Sequence, residues 1–117
     1  MLETKRRVIG QLMVCQGCCC GATEKNRPDV PASWLREEWR RRGLLKRFQL
    51  SISGCLGPCD VPNVVTVNST AGSVWLANIT EFNQYRSLVE WAVRCNEAGR
   101  LLELPREFKE HVIDPWR

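Results

Sequence analysis

The chain has 117 residues, of which 44% are hydrophobic and 26% charged, a composition typical of one folded domain. No apolar run approaches the roughly 20 residues that a membrane-spanning helix needs, and the first ten residues lack the pattern of a secretory signal. The net charge of +4 is mild, and no recognition motif indicates nucleic acid binding. We therefore expect one domain over residues 1–117 in a cytoplasmic protein that binds neither membranes nor nucleic acid, with residues 101–117 as its C-terminal tail.

The first half of the chain predicts a strand, a helix and a second strand. Residues 7–14 are mostly apolar and predict the first strand. Residues 15–31 are rich in cysteine, glycine and proline, which is typical of a loop. A helix is predicted over residues 32–42 and is expected to end at Gly43. Residues 48–53 alternate apolar and polar side chains, which indicates a half-buried strand.

The second half predicts a hairpin and a longer helix. Residues 54–62 form a second cysteine loop, and residues 64–67 and 73–77 predict two short strands that pair as a hairpin. Residues 80–97 carry an apolar stripe at helical spacing, with Thr80 as the expected N-cap. This order of elements predicts a small thioredoxin-like α/β layer fold, with a mixed sheet of about four strands and two main helices.

Seven cysteines are unusual in a protein expected in a reducing compartment. Their odd number and the reducing surroundings disfavour a disulfide framework, so metal, cluster or redox chemistry remains. Cys95 lies on the predicted helix over residues 80–97 and is expected in a core or semi-exposed position. The other six follow two predicted strands that would lie side by side, so two thiolates from each loop could enclose a 2Fe-2S cluster. They are Cys15, Cys18, Cys19, Cys20, Cys55 and Cys59.

The cysteine spacing resembles that of a known family. The second loop reads Gly54-Cys55-Leu56-Gly57-Pro58-Cys59-Asp60, and Cys15 and Cys20 have four residues between them. This pattern is similar to the thioredoxin-like 2Fe-2S ferredoxin family, which includes the small 2Fe-2S subunit of respiratory complex I and of related hydrogenases. In that family a cysteine pair of variable spacing follows the first strand, and a Cys-x-x-x-Cys pair follows the second. The resemblance covers residues 8–93.

The resemblance implies a 2Fe-2S cofactor and its ligands. One iron would be bound by Cys15 and Cys20, and the other by Cys55 and Cys59. It also implies one-electron transfer to a redox partner protein, without catalytic residues or enzyme activity, and it is compatible with a homodimer. The chain begins almost at the first strand, without the N-terminal helical region of the complex I subunit, so we expect a stand-alone ferredoxin.

Three alternatives stay open at the same cysteines. Cys18 or Cys19 could replace Cys20 as a ligand. Cys15 and Cys18 form a Cys-x-x-Cys pair directly after a strand, where thioredoxin-like thiol–disulfide oxidoreductases carry their dithiol. Four thiolates from two loops could also bind a structural zinc ion in an interaction module.

Two further expectations concern the surroundings of the cluster. Backbone N–H groups of Gly17, Gly21 and Gly57 are expected to donate to its sulfur atoms, because glycine lets the backbone approach closely. The basic helix face that begins at Arg36 is expected to bind an acidic redox partner.

Overall fold

The computed structural model describes residues 1–116 as two α-helices and five strands, joined by loops and short 3-10 turns. Over those residues, no helix is both long enough and apolar enough to cross a membrane. The elements in chain order are β1 (Gly10–Cys15), α1 (Ala32–Arg41), β2 (Phe48–Ser53), β3 (Val65–Ser69), β4 (Gly72–Leu76), α2 (Phe82–Ala98) and β5 (Val112–Ile113).

The five strands form one mixed sheet in the order β2-β1-β3-β4-β5. Strands β1 and β2 are parallel and are connected through α1, whereas β3, β4 and β5 each run antiparallel to the preceding neighbour in the sheet. A parallel β-α-β unit followed by an antiparallel hairpin and a helix is a thioredoxin-like arrangement, so the predicted fold class is confirmed. The predicted number of four strands is too low, because residues 112 and 113 of the tail pair with β4.

One face of the sheet is apolar and packs against the helices. Strand residues of this face lie next to one another across the register, as Leu12 does with Val67 and Val14 with Val65. They share a core with Leu35 and Trp39 of α1 and with side chains of α2. The opposite face is more polar, since Gln11 donates to Ser51 and accepts from Asn68. The core therefore lies on the helical side of the sheet.

The helix ends follow local sequence signals, with one difference from the prediction. Helix α2 begins with a capping box in which Glu81 and Gln84 bond to each other's backbone, so the predicted N-cap Thr80 lies one residue too early. Gly43 and Gly99 follow α1 and α2 with left-handed φ values of 66° and 73°. These values suit glycine and end both helices where the sequence predicts.

Trp39 links α1 to β2, and we expect its replacement by phenylalanine to lower the free energy of unfolding by about 2 kcal/mol. Its ring is fully buried, and its indole N–H donates to the carbonyl oxygen of Phe48 at 2.8 Å. The substitution removes this hydrogen bond and part of the buried ring. Urea unfolding of the metal-free protein measures the effect, with the exposed Trp116→Phe as a matched control. Equal effects of the two substitutions would contradict the assigned role of Trp39.

Candidate metal centre

The two cysteine loops meet because β1 and β2 are parallel and end in register. Cys15, the last residue of β1, pairs with Ser53, the last residue of β2. Cys55 follows two residues later, and the N–H of Gln16 donates to the carbonyl of Ser53 at 2.9 Å, which ties the two loops together. The six loop cysteines consequently line one small cleft, where they are joined by Gly57, Pro58 and Val64.

The outer part of the cleft holds exposed or half-buried thiols close to one another. The Cys55 and Cys59 sulfurs are 3.1 Å apart, and the Cys18 sulfur lies 3.8 Å from that of Cys59. Cys19 lies 4.0 Å from Cys18, measured between the sulfurs. The sulfurs of Cys18, Cys19 and Cys59 all lie within 4.8 Å of one another, a spacing at which three ligands can share one metal ion.

The inner part of the cleft is formed by Cys15 and Cys20, each only 3% exposed. The backbone N–H of Val64 donates to the Cys20 sulfur at 3.3 Å. Burial raises the pKa of Cys20 to about 12, and a hydrogen bond with Cys15 adds to the increase. The two inner thiols are therefore held by the fold itself, and Cys20 is protonated at neutral pH when no metal is bound.

The Cys55 and Cys59 thiols form a hydrogen bond that shifts their pKa values in opposite directions. The hydrogen bond from Cys59 lowers the pKa of Cys55, and the backbone N–H of Gly57 lowers it further. The same bond raises the pKa of Cys59 to about 12, and a hydrogen bond with Cys18 adds to the increase. Since metals bind thiolates, loading this pair releases protons, and the affinity for metal should increase with pH.

The expected N–H donors are only partly those that face the sulfurs. The Gly17 N–H donates to the carbonyl of Cys20, and the Gly21 N–H donates to Asn63 Oδ1 at 3.0 Å. The prediction that these two groups face a cluster is therefore wrong. The backbone N–H of Gly57 only lowers the pKa of Cys55, whereas Val64 donates a hydrogen bond to the Cys20 sulfur that the sequence did not indicate.

Asn63 is a supporting residue that sequence reasoning missed. It is fully buried and donates from Nδ2 to the carbonyl of Asp29 at 2.9 Å and to the Tyr85 hydroxyl at 3.1 Å. Its Oδ1 accepts the N–H of Gly21, the residue after Cys20. The signal available in the sequence is a single amide side chain between the apolar residues 61–62 and 64–65, directly after the second cysteine loop.

The residues of the cleft fit a thiophilic metal or cluster. Thiolates are the ligands that iron–sulfur clusters and zinc prefer, and six thiols exceed the four that a 2Fe-2S cluster needs. All seven cysteines are free thiols.

Cys95 lies on α2 in the hydrophobic core, apart from the cleft. Its sulfur accepts the N–H of Leu102, and its predicted core position is confirmed. His111 bonds to Ala77 and Gln84 instead of reaching the cleft.

Neither a protein-family model nor a curated protein matches the chain. Among solved structures, the wild-type thioredoxin-like 2Fe-2S ferredoxin from Aquifex aeolicus is similar, with 20% sequence identity and a TM-score of 0.47. The match covers 92% of this chain and 98% of that one. At this identity and TM-score, the function has to be inferred from the cysteines of this chain, and the resemblance to the complex I subunit stays a prediction.

Proposed function

We propose that the protein binds a 2Fe-2S cluster through Cys15, Cys20, Cys55 and Cys59 and carries single electrons to a redox partner protein. The observation that supports this best is the convergence of six free thiols in one cleft at the end of two parallel strands. When bound, the cluster would supply a one-electron couple between the diferric and mixed-valence states. No catalysis on a substrate is part of the proposal, and seven free thiols favour a reducing compartment such as the cytoplasm.

The protein's own groups would have separate tasks at this site. Buried Cys15 and Cys20 would fix one side of the ligand set, because the packing around them leaves little freedom to move. Cys55 and Cys59 would complete it on the exposed side, where a partner can approach. The N–H group of Val64 donates to the Cys20 sulfur and would stabilise the more negative, reduced state, which raises the reduction potential.

One observation favours zinc as a second candidate. With Zn–S bonds of about 2.3 Å, two thiolates on a tetrahedral zinc ion lie about 3.8 Å apart. The Cys18–Cys59 and Cys18–Cys19 sulfur distances of 3.8 and 4.0 Å are close to this value. A mononuclear site on the outer thiols would make the chain a zinc-stabilised module without a redox function.

Purification without oxygen, followed by an absorption spectrum and assays of iron, sulfide and zinc, separates the two candidates. We expect a red-brown protein with about two irons and two sulfides per chain, whose visible absorption decreases on reduction with dithionite. The spectrum of the Cys95→Ser variant should be identical to that of the wild-type protein, because Cys95 lies on α2 in the hydrophobic core, away from the cleft. Colourless protein with one zinc ion per chain would support the structural module and overturn the electron-carrier proposal.

A further inference from the structure

A groove lies directly beside the second cysteine loop. One wall is the segment between Cys55 and Cys59, and the other is formed by β4, β5 and the residues that follow β5. We call it the tryptophan groove. The side chains that matter here are Leu56, Pro58, Asp60, Trp75, Asp114 and Trp116. Because the residues between two predicted ligands form one wall of the groove, any molecule bound in it would lie near the cluster.

The aromatic side of the groove has an unused hydrogen-bond donor. Trp75 and Trp116 pack edge to face with ring centroids 5.6 Å apart, and Trp116 is 69% exposed. The indole N–H of Trp75 is buried and has no acceptor among residues 1–116. Buried indole N–H groups usually have a partner, and exposed tryptophans are common where proteins bind one another. The exposed Trp116 ring is therefore the part of this wall that suits a protein interface.

The described lining of the groove carries two carboxylates, on a chain whose net charge is +4. Asp60 and Asp114 are both exposed, and the part of the lining that the structure describes contains no basic side chain. Asp114 accepts the backbone N–H of Trp116, which positions its carboxylate at the rim. A lysine or arginine side chain would complement both carboxylates and could also lie against a tryptophan ring.

The basic helix face is a weaker docking site than the sequence indicates. Ion pairs bind Arg40 to Glu37 and Arg41 to Glu38, so much of its charge is compensated within the helix. Arg42 is paired with Glu38 and Glu90. These arginines lie at the C-terminal end of α1, where the chain turns back into the start of β2. That is the opposite edge of the sheet from the cysteine loops, which follow the ends of β1 and β2.

We propose that the tryptophan groove is the docking site for the redox partner, and that the partner is a protein that presents lysine or arginine side chains around its own redox centre. The inference rests on the electron-carrier function proposed above. In the transfer, the reduced cluster loses one electron and a one-electron acceptor of the partner, such as a ferric haem, gains it. Electron-transfer partners associate through small and weak interfaces, and a groove of this kind with two carboxylates is sufficient for such an encounter.

The first test measures electron transfer from the reduced holoprotein to cytochrome c, a basic haem protein, by stopped-flow absorption. The double variant Asp60→Asn/Asp114→Asn should lower the second-order rate constant about tenfold at low salt, and the difference should shrink at high salt. The control Glu97→Gln/Glu103→Gln changes the net charge equally. Both glutamates are exposed, near the opposite sheet edge, where Gly99 and Leu101 lie beside Arg47 and Gly10. This control should stay within about twofold of wild type.

A second readout does not depend on the reduction potential, which Asp60→Asn could change. Carbodiimide cross-linking of the oxidised holoprotein to ferric cytochrome c should join lysines of the cytochrome to Asp60 and Asp114, as mapped by mass spectrometry. Trp116→Ala, which keeps the charge, should reduce the yield of these cross-links. Cross-links mainly at Glu97 or Glu103, or equal rate constants for the two double variants, would overturn the groove inference while the cluster proposal stands. Absence of a cluster from the wild-type protein would overturn both.

Discussion

Replacing Cys20 by serine will reduce the content of 2Fe-2S cluster to a small fraction of the wild-type value, whereas replacing Cys18 by serine will leave the cluster in place. Cys20 is buried beside Cys15, and the N–H of Val64 donates to its sulfur, so the fold fixes the position of this thiol. Cys18 is exposed and contacts the cleft only from its outer side. Anaerobic reconstitution with iron and sulfide, followed by visible absorption and metal assays, measures the cluster content of each variant.

The remaining cysteines extend the same experiment. Serine at position 15, 55 or 59 should reduce the cluster content to a small fraction of the wild-type value, whereas Cys19→Ser and Cys95→Ser should retain it. Because the Cys18 sulfur lies 3.8 Å from that of Cys59, Cys18 could replace a missing ligand in part. The double variant Cys18→Ser/Cys20→Ser would then lose the residual cluster. If the Cys18→Ser variant lacked the cluster while the Cys20→Ser variant retained it, the assigned ligand set would be wrong.

The elements of the fold that show a local periodicity of apolar residues could be predicted from the sequence. The alternating pattern of residues 48–53 predicts β2 with the bounds that the structure shows, and the apolar stripe of α2 predicts that helix within two residues at its start. Strand β5 has only two residues, so it contains no alternation to detect. Its existence depends on the free edge of β4, which is a property of the assembled sheet.

For the site, the sequence predicts where the cysteine loops converge but not which hydrogen bonds their backbone makes. Convergence of the two cysteine loops follows from topology, since parallel neighbouring strands end at the same edge of a sheet. The direction of each peptide N–H does not follow from residue type, as Gly17 and Gly21 show by donating to Cys20 and Asn63. The structure likewise places Cys18 against Cys59, a contact that the spacing of the cysteines does not indicate.

Asn63 should be the most important residue of the site that is not a candidate ligand. We expect Asn63→Ala to lower the free energy of unfolding of the metal-free protein by about 3 kcal/mol, because it leaves the Gly21 N–H and the Asp29 carbonyl without their partner and removes a donor to Tyr85. Tyr85→Phe removes only the hydroxyl and should cost about 1 kcal/mol. Asn68→Ala is a matched control, since Asn68 lies half-buried on the polar face of the sheet.

The same substitution should also affect the cluster, because Asn63 holds the backbone immediately after Cys20. Without the bond to Oδ1, Gly21 loses the contact that ties the first cysteine loop to the segment preceding β3. Release of iron to a chelator, followed by visible absorption, should therefore be several times faster in Asn63→Ala than in Asn68→Ala. Should the alanine variant fail to fold, Tyr85→Phe tests the same network with a smaller change. If Tyr85→Phe and Asn68→Ala both unfold and release iron like the wild type, Asn63 does not position the loop through this network.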